Sequence, residues 1–466
     1  MPTNAYGNYK STISFLEKII MSLKETLRNK FQIKEIWSLS WPMALIMFYE
    51  FLIGLTDVYI AGKFGKEIQA AYGLAFQLYF AFIIIGMALG VGIVSVSSRL
   101  FTSGKTDKLN IAVNSSLALA IVSGMFFSLI GVLFSGDLIN TLHIPQELKA
   151  YAIPFLTIYS LGFLFDYILL STNGILRSCA MIKKSLWVMS VVCVMNVALN
   201  FALALGTPLG YKGIAAATVI SLFAGSILSI FYVRKLVTGF KFSLGIVKEI
   251  LNISWPSGLL QVFWQIGAVV LFLILSMLPT HNVEIIAALT NGLKIESFIF
   301  LPAFAFNMAS AVLVGNLLGK NDKENAFRGG VATAIIGVAI VTVLTIIIIF
   351  NARHIAGFLS NNDTVVNESI RYIYIALLFE PIMAWGVILG GGLGGAGDTR
   401  SVMIVTALGI WCVRIPLSYI FGVYFGFGAI AIWWSMNFSI LTQAIFLSKR
   451  YFGRRWIAQA GNRIAD

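Results

Sequence analysis

Seven ionisable side chains interrupt otherwise apolar runs of this chain: Glu50, Asp57, Asp166, Lys294, Glu296, Glu380 and Arg414. A charge inside a long apolar run is costly, so each of them is a candidate for function. Glu50 and Asp57 stand seven residues apart, which puts them on one helix face two turns apart. A carboxylate kept from water either holds a proton or stays ionised by holding a cation. A carboxylate capped by hydroxyl or backbone donors for packing alone is the competing reading for each. Asp166 lies within GFLFDYILL, and Glu380 precedes Pro381, whose ring frees a backbone carbonyl and bends a helix. Lys294 and Glu296 are two residues apart and so do not face each other. Arg414, two residues before Pro416, is expected to pair with a carboxylate or carbonyl of a neighbouring helix.

The elements that carry these groups must be membrane helices. The 466 residues are 58% hydrophobic and only 11% charged, against about a quarter charged in soluble chains. Such a chain cannot cover itself with polar surface. Twelve spans are expected near 38–62, 70–99, 109–135, 148–175, 185–205, 211–233, 250–279, 284–317, 328–350, 370–395, 401–424 and 427–448. The backbone of each must be helical, or broken only against protein or water. The fold class expected is therefore an all-α polytopic membrane protein.

A net charge of +13 would suggest nucleic acid in a soluble protein. Here the basic residues sit in short loops and tails. Counted by side, Lys and Arg number 25 with the termini and 6 opposite, and Lys294 and Arg414 lie within spans. That asymmetry predicts both termini in the cytoplasm, with no nucleic-acid partner. Residues 14–37 alternate apolar and basic positions at near-helical spacing, as a cationic helix lying on the inner leaflet would, or as a solvated tail would. The N-terminal stretch lacks the compact apolar core and cleavage site of a signal peptide.

Other motifs exclude more than they assign. Cys179, Cys193 and Cys412 have no metal or disulfide spacing. GGGLGGAGDT (390–399) lacks the GK[ST] ending of a phosphate loop and reads instead as a close-packing helix end. No nucleophile–base pair or paired catalytic carboxylates stand out, so an enzyme is not expected. Tyr49, Phe48, Trp264, Phe263, Tyr159 and Phe300 are the aromatic candidates for lining a cleft, where ring faces attract flat lipophilic cations.

The chain repeats itself. SWP occurs at 40–42 and 254–256, GKTDKLN (104–110) matches GKNDKEN (319–325), and NGILRS (173–178) matches GGGLGG (390–395). The offsets are all near 214–217 residues, with six spans per copy. An even number of spans gives two halves of the same orientation, related by an axis along the membrane normal. The heptapeptides then read as turns on the terminus side, with Gly ending one helix and Asp beginning the next. The expected organisation is a tail (1–37), an N-lobe (38–233), a linker (234–249), a C-lobe (250–448) and a basic tail (449–466). Two six-helix bundles across a cleft suit an alternating-access carrier.

Five stretches together carry a family resemblance: WPM through GLTDVYIAGKFG (41–65), NGILRS, NVALNFALALG through GYKGIAAAT (196–218), KIESFIFLPAFAFNMASAVLVGNLLG (294–319) and GGGLGGAGDT. In order and spacing, over essentially all twelve spans, the chain resembles the multidrug and toxic compound extrusion family. The resemblance implies a monomeric carrier of a bacterial cytoplasmic (inner) membrane, without cofactor, among membrane lipids. It would export small lipophilic cations in exchange for H+ or Na+. Asp57 stands at the family's first-helix aspartate, and Asn196 at an asparagine of the same site. Asn200 replaces a second aspartate of many members, and Gly54 a common Asn. Glu50 is our candidate for the missing acid. On the C-lobe, Trp264 and Gln265 stand at the level of the family's seventh-helix acid. Met383 takes the tenth-helix position with Glu380 about a turn away, and Glu296 matches an acid frequent on the eighth. Asp166, Glu296, Glu380 and Gln265 are the secondary coupling candidates. A lipid or lipid-linked oligosaccharide flippase of the same superfamily is the alternative, although it would usually carry more basic groups in its cavity.

Overall fold

The computed structural model describes residues 30–459, apart from His143 and Asn361 and the side chains of residues 30–32. The greater part of the amphipathic tail reading, and residues 460–466 of the basic tail, lie outside the described residues.

Twelve long apolar helices cross the fold in alternating directions. The first six are α1 (Lys30–Lys63), α2 (Lys66–Thr102), α3 (Thr106–Asn140), α4 (Gln146–Ser178), α5 (Ile182–Leu205) and α6 (Lys212–Leu236). The second six are α7 (Leu244–Ser276), α8 (Asn282–Gly319), α9 (Lys323–Phe350), α10 (Asp363–Gly395), α11 (Thr399–Tyr424) and α12 (Gly428–Phe452). A short helix, Ala352–Leu359, joins α9 to α10. Each expected span falls within one of the twelve, allowing for a few residues at its ends. Among the described residues there is no strand. Large apolar side chains such as Val122, Leu133, Val194 and Val269 remain exposed on the helix surfaces, as hydrocarbon allows.

Small residues and aromatic rings set the packing inside each half. In the first, α4 lays Phe155, Tyr159, Phe163 and Tyr167 against Tyr72, Tyr79 and Phe82 of α2, or Phe127 of α3. In the second, a Cβ at Gly391 or Gly395 of α10 would strike the carbonyls of Asn307 and Ala311 on α8. The glycine run is therefore a close helix crossing. The two cores exchange helix ends. Ile36, Leu39 and Met43 of α1 join the core of the second half, while Ile250 and Ile253 of α7 join that of the first.

The twin heptapeptides occupy equivalent turns but two residues out of register. Gly104 takes the left-handed conformation in the first (φ 72°), whereas Asn321 takes it in the second (φ 56°). Asp322 caps α9 by accepting from the Asn325 amide, while Asp107 lies inside the first turn of α3. The expected roles of Gly and Asp are thus divided between the copies. Asn tolerates the left-handed region well enough to relieve Gly319 of that duty. Gly319 is instead the last residue of α8, where a Cβ would strike Thr102 and the Arg99 carbonyl.

That contact belongs to a seam between the halves on the side of the termini. Ser95 donates to the Gly395 carbonyl (3.0 Å) and Thr102 to that of Asn316 (2.6 Å). The Asn316 side chain lies 3.0 Å and 3.1 Å from the Ser98 and Ser178 carbonyls, with its amide oriented to donate to both. Arg99, buried on α2, donates to the Ser95 carbonyl (2.8 Å) and pairs with Glu249 of α7 (3.0 Å). The start of the basic tail folds back on the same side. Arg450 pairs with Asp398 (2.6 Å), Arg454 pairs with Glu324 (2.8 Å), and Trp456 is fully buried.

Candidate functional site

Asp57 is buried on α1 and wrapped by neutral donors from two other helices. Asn200 of α5 donates to Oδ1 (2.8 Å), and Thr218 of α6 donates to Oδ2 (3.3 Å). Asn196 closes the ring: its Nδ2 reaches Thr218 (3.1 Å), and its Oδ1 accepts from Asn200 (3.1 Å). Asn200 opens a π-helical turn, Asn200–Leu205. A π turn adds a residue to the helical ladder and re-aims side chains, and such turns gather at functional sites. Among the described residues Asp57 has no ion-pair partner, and the Asn200 Oδ1 has no hydrogen-bond donor. The site therefore offers a carboxylate and amide oxygens without a resident positive charge.

The structure brings Asp57, Asn196 and Asn200 together, and adds Thr218, which the reading of ionisable groups had passed over. Its signal was a hydroxyl ending GYKGIAAAT, on the face that meets Asn196 one helix back. Glu50 does not join them. Seven residues of helix set it about 10 Å along α1 from Asp57, and the charged groups that face it are Arg177 and Asp166. The amides and hydroxyl stand around Asp57 where a second acid was expected.

Two of the remaining acids are each held by a tyrosine. Tyr79 of α2 donates to Asp166 of α4 (2.7 Å), and Tyr372 of α10 donates to Glu296 of α8 (2.5 Å). The helices correspond in the two halves, but acid and tyrosine have changed places. Tyr372 packs edge-on to Trp433, with ring centres 4.7 Å apart. Glu380 is buried nearby, and its Oε2 has no partner among the described residues. Arg414 lies within electrostatic reach of Glu296 and Glu380, and 5.9 Å over the Trp264 ring. It belongs to the π turn Gly409–Arg414 of α11. Gln265 joins neither group. Lys294 is exposed while Glu296 is buried, as their spacing requires.

The aromatic candidates divide. Phe48 and Trp264 are exposed, and Phe263 and Phe300 are half-buried. Tyr159 is instead fully buried among Tyr72, Tyr79 and Phe155, because α4 turns it into the core of its own half. Half-buried Tyr49 packs on a small cluster with Leu169, Val188 and Met189. Arg177, counted with the loops in the sequence, belongs to the last turn of α4 and meets Met308 Sδ of α8 (3.1 Å).

Two matched six-helix halves, joined at one end and carrying buried acids, define a polytopic membrane carrier. The sequence model of the MatE family matches residues 42–202 and again residues 256–420. The chain belongs to that family of membrane transporters and is not an enzyme. The double match reproduces the internal repeat. The chain is similar to a probable multidrug resistance protein NorM of Thermotoga maritima, with 24% identity over 92% of this chain and 94% of that one. It is also similar to an uncharacterized transporter, YisQ, of Bacillus subtilis, with 22% identity over 91% and 94%. Among solved structures, the outward-facing conformation of a multidrug resistance MATE family transporter matches with a TM-score of 0.85 and 21% identity. That match covers 92% of this chain and 96% of that one. The two-bundle fold is the same.

Proposed function

We propose that this chain is a secondary active multidrug efflux antiporter. It exports small lipophilic cations in exchange for protons or sodium ions, in a bacterial cytoplasmic membrane with both termini inside. The observation that carries this reading is Asp57: a buried carboxylate held by Asn200 and Thr218 without a counter-charge. A charge left alone in a membrane lobe is stable only with a proton or cation, so the site must load and unload as access alternates.

The seam supports a defined state for this structure. The contacts of Ser95, Thr102, Asn316 and Arg99 close the halves on the terminus side. With the termini inside, that state faces outward. Ion entry at Asp57 would change how α1 packs, and α1 spans both cores, so the change reaches both halves. Coupling then requires that ion and drug favour different states.

The two halves differ in their counter-charges. The C-lobe acids have Arg414 as a built-in cation, whereas Asp57 has none. Asp57, Asn196, Asn200 and Thr218 are therefore the principal coupling group, with Glu296 and Glu380 secondary. The relatives named for multidrug resistance weigh against the flippase. The test is efflux of a fluorescent cation from proteoliposomes under an imposed proton gradient, then an imposed sodium gradient. Transport that ignores both gradients would overturn the proposal.

A further inference from the structure

The first half carries, at its terminus-side end, a cluster of cations whose counterpart in the second half is neutralised from within. Lys183 and Lys184 lie in the first turn of α5, and Arg234 and Lys235 in the last turn of α6. All four are exposed, and among the described residues none of them forms an ion pair. The two helices cross closely at Gly225, where a Cβ would strike Val192. Their ends meet where Lys184 Nζ lies 5.1 Å over the Tyr232 ring. Arg234 and Lys235 both lie over Phe231, at 4.3 Å and 5.7 Å. Toward the middle of the spans, Trp187, Ile227 and Phe231 are exposed. Apolar side chains on the outside of a membrane helix meet acyl chains, and tryptophan favours the headgroup level.

The repeat shows what is missing. The turn before α5 and the turn before α11 are built alike. The Met181 amide donates to the Leu176 carbonyl and the Asp398 amide to the Leu393 carbonyl, each at 2.8 Å. Ala180 and Gly397 take the left-handed conformation at the same place in each turn (φ 58° and 85°). Met181 thus stands where the second half has Asp398. That carboxylate accepts from Ser401 of α11 (2.7 Å) and from Arg450 of α12 (2.6 Å), tying the two helix ends together. The end of α12 also matches that of α6, with Lys449 5.5 Å over Phe446. The first half keeps the cations and the phenylalanine but puts a thioether in place of the acid. Like charges crowded on neighbouring turns repel one another, and an anion among them relieves that repulsion.

We propose that an anionic phospholipid of the terminus-side leaflet seats its phosphate among Lys183, Lys184, Arg234 and Lys235, in the place Asp398 holds in the second half. Its acyl chains lie along Trp187, Ile227 and Phe231. Those exposed apolar side chains beneath the cations select a lipid over a soluble anion. This site lies on the outer surface of the first half, away from the cleft, and does not rest on the export reading.

The test is native mass spectrometry of the purified, delipidated full chain, titrated with phosphatidylglycerol and with phosphatidylethanolamine of the same acyl chains. The parent should bind the first lipid about tenfold more tightly than the second. Two variants should erase that preference. Lys184→Gln with Lys235→Gln removes cations, and Met181→Asp supplies the first half with the acid of the second. Lys184→Arg with Lys235→Arg, which keeps both charges, should retain the preference. Equal affinity of the parent for the two lipids would overturn the proposal, as would a preference that survives in both the glutamine variant and Met181→Asp. Sodium phosphate at the lipid concentration should not displace the phosphatidylglycerol. Displacement would mark a soluble-anion site and overturn the lipid assignment. A variant that fails to fold is recognised by its elution profile, and the other then decides.

Discussion

Arg414 is the C-lobe counterpart of Asn200. The two residues are 214 positions apart, the spacing of Ser40 and Ser254, and each belongs to a π turn of the corresponding helix. The same spacing sets buried Leu271 opposite Asp57. One half thus pairs a lone carboxylate with a neutral amide. The other replaces the carboxylate with an apolar side chain and the amide with a fixed cation, beside Glu296 and Glu380. The repeat survives in the helices, while the charges differ: one half holds a lone carboxylate, the other two acids within electrostatic reach of a guanidinium.

Asp57→Asn should therefore keep the fold and lose coupling. The amide is nearly isosteric and still offers an oxygen to Asn200 and Thr218, while its charge is gone. Gradient-driven efflux should fall to the level of empty liposomes with the thermal midpoint little changed. Thr218→Val tests the ring more gently. It removes one donor at 3.3 Å and should cost about 1 kcal/mol of ion affinity, read as a several-fold higher ion concentration for half-maximal transport.

In the C-lobe the balance tips the other way. Arg414→Met leaves Glu296 and Glu380 buried without the guanidinium within electrostatic reach of them, and a buried carboxylate short of a nearby cation is destabilising. Its thermal midpoint should drop more than that of Asp57→Asn. Glu296→Gln weakens the short bond from Tyr372, since an amide oxygen accepts less strongly than a carboxylate, and should destabilise more than Glu380→Gln, whose Oε2 already lacks a partner. Equal midpoints for the two glutamine variants would count against this arrangement.

The terminus-side seam depends on positions too tight for any side chain. A Cβ at Gly315 would strike Ser98, and one at Gly319 would strike Thr102. Gly315→Val should disfavour the terminus-closed state. Spin labels on Lys105 and Lys320 should then report a longer distance in the variant than in the parent chain. An unchanged distance distribution would show that these helix ends are not a moving gate.

Arg99 and Glu249 close the same seam with charge. Arg99 is 2% exposed, so Glu249→Ala should destabilise the terminus-closed state by leaving a buried guanidinium short of an acceptor. Arg99→Met with Glu249→Leu removes both charges. It should recover much of the loss, measured as a thermal midpoint between those of the parent and Glu249→Ala.

Much of the architecture was legible in the sequence, because span length and hydropathy are one-dimensional properties. The twelve spans and the repeat could be read from apolar runs and recurring short motifs. Asp57, Asn196 and Asn200 could be grouped because a family pattern set them together. The two-residue slip between the heptapeptides could not be seen, since sequence identity says nothing of which residue takes the left-handed conformation. Thr218, Tyr79 and Tyr372 are not legible as site residues, because neutral donors carry no charge to mark them inside an apolar run. Glu50 and Asp57 share a helix face in the sequence pattern. Face alone ignores the two turns between them, and the groups that α4 brings to Glu50 are distant in the chain. The residue type of Tyr159 suggests a cleft lining, whereas helix rotation decides which way a ring points.

The most direct test of Asp57 as the coupling group is dye efflux from proteoliposomes of the parent chain and Asp57→Asn, under imposed proton and sodium gradients. One gradient should drive efflux by the parent and neither should drive it in the variant, while Glu380→Gln retains its response. Gradient-driven efflux by Asp57→Asn at the parent rate would contradict a coupling role for Asp57.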